Sequence, residues 1–285
     1  MTVSGYEEVA DKIWRRRGGG RHLAIVGSIH GDEGAGTQVI QELLAGDDRL
    51  WRRAGDVDLT LAIGNPRALE LGLRHTEDGM DLNRLFGATH GQSSGYESSR
   101  VGVLEEHLGH ADLLLDLHQT SCSTPPVAVV HDSPEHLRFA AALGVTHAVV
   151  GIEAIYPGTM LSRWLDGKGG VGITVETGQK GTEEAAAAAG EVARRFLTSG
   201  GSSSATGGKI RRYRLEEALP TPGPNLVFER HLGNTTRIHA GELLGRYEGG
   251  ELKAERNAVI FLPRAGSEPG SPCMLLATDE GVITV

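Results

Sequence analysis

The strongest constraint on this chain is an alternation of short, almost unbroken apolar runs with stretches of helical spacing. The runs are HLAIVGSI (22–29), VDLTLAI (57–63), ADLLLDL (111–117), VAVVH (127–131), THAVVGI (146–152) and GVGITVE (170–176). Between them lie AGTQVIQELLA (35–45), PRALELGL (66–73), PEHLRFAAAL (134–143) and the Ala-rich TEEAAAAAGEVARRFL (182–197). A short apolar run without polar alternation is a strand buried on both faces, and intervening helices supply the cover. The pattern predicts an α/β domain with a mostly parallel, buried sheet. Before the first run, YEEVADKIWRR (6–16) places Val9, Ile13 and Trp14 at helical spacing, which predicts a helix that GGG (18–20) ends.

After residue 198 the character changes. TSGGSSSATGG (198–208) has linker composition, and helical periodicity stops beyond it. The pieces NLVFERHL, TRIHAGELLGRYEGG, ELKAERNAVIFLP and CMLLATDEG are short, strand-like and punctuated by Gly and Pro. The expected organisation is an α/β domain over 1–198, a linker over 199–207 and a small β-rich domain over 208–285. For a chain of 285 residues, one large unit plus one small one is a natural division.

Composition narrows the function classes. A formal net charge of −9 argues against a nucleic-acid surface, which needs a concentrated basic patch. No segment has the length of apolar sequence that crosses a bilayer, and the first twenty residues lack the apolar core of a signal peptide. The two cysteines, Cys122 and Cys273, are too few for a disulfide framework. These features lead to the expectation of a cytoplasmic protein with no nucleic-acid or membrane partner. Oligomeric state stays open, a homo-oligomer included.

In open α/β sheets ligands collect beyond the carboxyl ends of the strands, so the polar residues there carry the chemistry. They are His30, Asp32 and Glu33 after the first run, Asn65 and Arg67 after the second, Asp116 and His118 at the third, and Glu176 at the end of GVGITVE. His30, Glu33 and His118 make a set of two imidazoles and a carboxylate. Three such ligands with an open fourth position is the pattern of catalytic zinc. Solvated loop residues are the plain alternative for each of them taken singly. Glu176 is either a charge that has reached solvent or a general base beside a metal-bound water. Arg67, Asn83 and Arg84 are candidate anion-binding groups, with surface ion pairing as the alternative.

Taken together, GSIHGDE (27–33), GNPRAL (64–69), DLNRLF (81–86), DLHQT (116–120) and VETG (175–178) resemble, in that order, the succinylglutamate desuccinylase/aspartoacylase family of zinc amidohydrolases, relatives of the zinc carboxypeptidases. The resemblance implies a three-layer, zinc-carboxypeptidase-like domain and a small C-terminal β domain capping the active-site mouth. It implies one Zn2+ per chain on His30, Glu33 and His118, with Glu176 as the base that activates water. By the same resemblance Arg67 polarises the scissile carbonyl, and Asn83 and Arg84 bind the carboxylate of a small N-acyl amino-acid substrate. Arg163 resembles a further substrate-binding arginine, and Glu255 is the candidate acidic residue lent by the β domain. Asp32 is expected to point away from the metal, toward its loop or the next helix start.

The sequence also departs from the family. Between GNPRAL and DLNR, where the family often has an arginine and a tyrosine, LRHTEDGM supplies Arg74 and His75. Hydrolysis of an N-acyl amino acid is therefore the leading expectation, with acyl group and amino acid open. A carboxypeptidase using the same carboxylate clamp is the second, and a metal-free binding protein retaining the fold is the third. Lys253 in GELLGRYEGGELKAE raises a faint further possibility of a lipoyl-type carrier hairpin.

Overall fold

The computed structural model describes residues 2–3, 5–46, 57–87, 95–156, 159–199 and 208–285. Most of the expected linker, residues 200–207, lies outside the described residues. The chain starts with β1 (Thr2–Val3), β2 (Tyr6–Ala10) and β3 (Ile13–Arg16), followed by β4 (His22–Gly27), α1 (Ala35–Leu44), β5 (Asp58–Ile63) and α2 (Pro66–Leu71). It continues through α3 (Tyr96–Leu108), β6 (Leu113–Thr120), β7 (Val127–Val129), α4 (Pro134–Ala142), β8 (His147–Val150), α5 (Leu161–Asp166), β9 (Val171–Gln179) and α6 (Glu183–Thr198). The remainder is β: β10 (Lys209–Pro220), β11 (Val227–Phe228), β12 (Thr236–Ile238), β13 (Leu243–Tyr247), β14 (Gly250–Lys253), β15 (Ala258–Phe261) and β16 (Pro272–Thr284).

The apolar runs form the middle of one mixed sheet, in the order β1-β2-β3-β5-β4-β6-β9-β7-β8-β10-β16-β15-β12 among the described residues. β5, β4, β6 and β9 run parallel, and all six residues of β4 are buried. Alternate side chains go to opposite faces. Leu23 and Ile25 pack with Val39, Ile40 and Leu43 of α1 and with Phe139 and Phe196 of α4 and α6. Ala24 and Val26 pack with Leu104 and Leu108 of α3 and Trp164 of α5. Two helical layers thus enclose the sheet, and each Leu or Ile so buried contributes about 1.5–3 kcal/mol. α1 crosses the end of β4 at van der Waals contact of main chains: a Cβ on Gly27 would come within 2.4 Å of Gly36. The small residues at the start of α1 are a packing requirement.

The expected helix over 6–16 is not formed. Those residues make the β2–β3 hairpin, with Glu8 opposite Trp14 and Lys12 at φ 54 in the turn. The cause is tertiary: β3 pairs antiparallel with β5 from Ile13↔Ala62 to Arg16↔Leu59, and that ladder outweighs a weak local helical pattern.

Residues 208–285 are β among the described residues, and the main sheet continues into them. β10 pairs parallel with β8, and β16 runs antiparallel along β10. A second sheet, β11-β13-β14, closes over Leu226, Leu244, Ile260 and Met274. Lys253 lies at the end of β14, exposed and paired with Glu251 at 2.9 Å, away from the hairpin tip at 248–249. Among the described residues no helix is long and apolar enough to cross a membrane.

Candidate metal centre and active site

β4, β6 and β9 are adjacent and parallel, so their carboxyl ends open onto the same place. Gly27 stands opposite Leu117, and His118 opposite Glu176. Just past β4 the chain turns sharply at Ser28, whose φ is 51. The Ser28 hydroxyl donates to the Glu33 carbonyl at 2.8 Å and meets Thr37 Oγ1 at 2.6 Å, tying the loop to α1. Gly31 admits no side chain, since a Cβ there would lie 2.1 Å from the Ala68 carbonyl carbon of α2. This close packing presents His30 and Glu33 together to the end of β6.

His30, Glu33 and His118 are buried, and one ligand atom from each lies within 4.8 Å of the others. His30 Nδ1 is 2.8 Å from Glu33 Oε1, and His118 Nδ1 is 2.9 Å from Glu33 Oε2. Each imidazole has a carboxylate on its far side: Asp81 Oδ1 at 3.2 Å from His30 Nε2, and Asp116 Oδ2 at 2.9 Å from His118 Nε2. A carboxylate only accepts, so the contacts with Asp81 and Asp116 are donated by the Nε2 side of each ring, and Nδ1 is the nitrogen that faces Glu33. Carboxylates behind histidine ligands are the usual orienting partners in metal sites.

The electrostatics of the cluster call for a cation. Burial opposes charge on both Glu33 and His118, yet the Glu33 carboxyl is held well below its usual value by His30 and His118. His118 is raised well above its usual value by Asp116 and Glu33. Both shifts depend on positive charge held among carboxylates, the charge that a bound divalent ion would supply at the same place. Two imidazole nitrogens and a carboxylate, with no thiolate, fit zinc in a catalytic rather than a structural role.

The cluster opens into a cavity of about 420 Å³. Glu176 lines it; burial pushes its carboxyl up to about 7, against the pull of His118 and with the push of Glu33. Its Oε2 is buried without a hydrogen-bond partner among the described residues. Arg74 lines the same cavity, donating to Asp81 Oδ2 at 2.8 Å and standing 3.7 Å from Glu33 Oε1. Asn83 accepts from the Leu161 amide at 2.9 Å. The Arg84 guanidinium lies 4.6 Å from the centre of the Tyr156 ring. The C-terminal β region adds Leu262, Arg264, Met274 and Leu275 to the cavity wall.

Six of the nine residues proposed from sequence meet here: His30, Glu33, Asn83, Arg84, His118 and Glu176. Three do not. Arg67 is exposed on α2, its guanidinium 5.7 Å from the Tyr96 ring, because Asn65 caps the helix and buries Pro66 and Ala68 beside it while Arg67 faces out. Arg74, brought back by the loop after α2, is the arginine beside the cluster. Arg163 pairs with Asp166 at 2.9 Å and lines a smaller neighbouring cavity. Glu255 is exposed in the turn between β14 and β15 and is not among the residues that line the cavity. Asp32 is not part of the His-Glu-His cluster; its partner is Lys180 beyond β9 rather than the helix start.

Sequence reasoning overlooked Asp81, Tyr156, Lys180 and Arg264. Asp81 stood in the quoted DLNRLF motif, and its separation of seven residues from Arg74, to which it is bound, was the available signal. For Tyr156, Lys180 and Arg264 nothing local marked a role.

Fold and site together define an α/β protein with a His-Glu-His centre at the carboxyl ends of its parallel strands. The Succinylglutamate desuccinylase/Aspartoacylase catalytic domain model matches residues 19–197, and the chain belongs to that family. It is 32% identical over 130 residues to a probable aspartoacylase of Trichodesmium erythraeum, a stretch covering 42% of this chain and 43% of that protein. It is 37% identical over 93 residues to a succinylglutamate desuccinylase of Pseudomonas syringae pv. tomato, covering 31% of this chain and 26% of the relative. The matched stretches thus span less than half of these curated relatives. A crystal structure of a succinylglutamate desuccinylase/aspartoacylase from Rhodobacter sphaeroides superposes with a TM-score of 0.74 at 19% identity, covering 94% of this chain and 89% of the other, a likeness of fold.

Proposed function

We propose that this protein is a cytoplasmic, zinc-dependent hydrolase of the amide bond of a small N-acyl amino acid. The observation that carries the reading is the convergence of His30, Glu33 and His118 with Glu176 and Arg74 in one cavity. His30, Glu33 and His118 would hold the zinc, which when bound supplies a Lewis acid and lowers the pKa of water.

The chain's own groups do the rest. Glu176, whose buried Oε2 has no hydrogen-bond partner among the described residues, takes a proton from the attacking water and returns it to the departing amine. Arg74, pinned by Asp81, presents a fixed positive charge to the oxygen of the substrate carbonyl as it becomes anionic. Arg84, with Asn83 beside it, receives the carboxylate of the amino acid. The cavity volume suits a small molecule, and the wall contributed by 262–275 favours this over a peptide chain.

The test is amine release from a panel of N-acetyl, N-succinyl and N-formyl amino acids, with bound metal measured after equilibrium dialysis against zinc. One zinc per chain, turnover of at least one member and loss of turnover in Glu176→Ala are expected. A zinc-loaded protein that hydrolyses none of the panel, or a Glu176→Ala variant at wild-type rate, overturns the reading.

A further inference from the structure

We propose that Glu97 is a positioning residue that acts through Arg74, holding the loop 72–79 so that the Arg74 guanidinium enters the cavity beside Glu33 and Asp81. The inference rests on the role given to Arg74 above. It starts from an unusual burial: Glu97, in the first turn of α3, is 1% exposed and has no ion-pair partner among the described residues. Instead its carboxylate is held by neutral donors. Oε1 accepts from the Thr76 amide at 2.8 Å and from Asn65 Nδ2 at 3.2 Å, and Oε2 accepts from the Thr76 hydroxyl at 2.9 Å.

A buried anion without a counter-charge is costly, and only several well-placed hydrogen bonds offset it. Here the side-chain and loop donors flank Arg74 in sequence: Asn65 at the start of α2, and Thr76 in the loop that follows α2. Asn65 is the cap of α2, accepting from the Ala68 amide at 3.0 Å, and Thr76 lies two residues beyond Arg74. Gly79 closes around the same carboxylate, since a Cβ there would come within 2.3 Å of Glu97 Oε2. Between these anchors the Arg74 carbonyl accepts from the Gly31 amide at 3.3 Å, next to His30. One turn along α3, Arg100 donates to the Gly64 and Ile63 carbonyls at 2.8 and 2.6 Å, fixing the helix to the end of β5. Glu97 is thus built on a rigid base and grips the arginine's loop from behind, without touching the cavity.

Glu97→Gln is compared with wild type in three measurements: kcat and KM, the same pair in an Arg74→Met background, and amide hydrogen exchange across 72–79. Action through Arg74 predicts a fall in kcat on the order of 100-fold, the effect of a misplacement of about 1 Å, with KM little changed. In the Arg74→Met background the substitution should have almost no further effect on kcat. Protection of 72–79 should be lost while that of β4 stays. Thr76→Val, which removes one donor only, should show the same pattern more weakly and guards against a variant that fails to fold. Additive effects of Glu97→Gln and Arg74→Met, or unchanged exchange in the loop, overturn the proposal. If wild type hydrolyses no amide, the functional reading fails, and loop exchange alone decides whether Glu97 holds Arg74's segment.

Discussion

Glu176 stands directly across the β6–β9 ladder from His118, so main-chain pairing sets a carboxyl-bearing residue beside an imidazole of the His-Glu-His cluster. The pairing places the carboxyl where burial pushes it up to about 7, from an ordinary value of 4.5. In the metal-free protein the folded state then keeps a proton that the unfolded chain releases. Stability from this group is fully present below about pH 4.5 and is lost as pH rises through about 7. Glu176→Gln removes the ionisation, so denaturant unfolding of the chelated protein should show a flatter pH dependence over that window than wild type. The same variant with metal should lose ~10²- to 10⁴-fold in kcat, the usual contribution of a general base. Equal pH slopes in the two chelated proteins would show that Glu176 titrates normally.

Arg74 and Arg67 offer a sharp contrast, because both are arginines near the same motif and only Arg74 lines the cavity. Arg74→Met should cost about 2.7–4 kcal/mol of barrier, the price of losing one donor to a developing oxyanion. Arg67→Met removes an exposed side chain near Tyr96 and should leave kcat/KM within about twofold, as surface changes usually stay within about 0.5 kcal/mol. Steady-state kinetics of the two variants side by side would check the assignment; equal losses would return Arg67 to the site.

What could be read from sequence divides along physical lines. The strands β4, β5, β6 and β9 were legible because burial on both faces writes itself into every residue of a run, and the ligand residues follow at their ends. α3 was missed: its inward face carries Glu97 and Arg100 as well as Val101, Leu104 and Leu108, and buried polar groups break the apolar period. The β2–β3 hairpin was misread because its ordering partner, β5, lies some forty residues away in sequence. Arg67 was chosen over Arg74 for the same reason. Proximity to a motif is local information, whereas the fold of the loop that returns Arg74 to Asp81 depends on Glu97 and Asn65. The contribution of 262–275 to the cavity follows from the continuation of the sheet through β10 and β16, which no single segment announces.

Asp58, at the start of β5, shows how GGG serves the fold instead of merely ending a helix. Its Oδ1 accepts from the Gly18 and Gly19 amides at 2.7 and 3.0 Å, and its Oδ2 from Arg15 Nη2 at 2.9 Å. Gly18 has no room for a side chain, since a Cβ would lie 2.4 Å from the Val57 carbonyl oxygen, so the two amides reach the carboxylate only with glycine there. These hydrogen bonds from Gly19, Gly18 and Arg15 hold the carboxyl well below its usual range. A depressed folded-state pKa gives stability that is present above the unfolded value and is lost as pH falls through the folded one. Asp58→Asn should therefore destabilise the protein by about 1–2 kcal/mol at neutral pH, in line with hydrogen bonds to a charged group. The difference from wild type should narrow steadily as pH falls below about 4, the ordinary carboxylate value. Urea unfolding at a series of pH values measures it directly. A penalty that stays constant down to the acid limit would mean that the carboxylate's charge plays no part in holding the β2–β3 hairpin to β5.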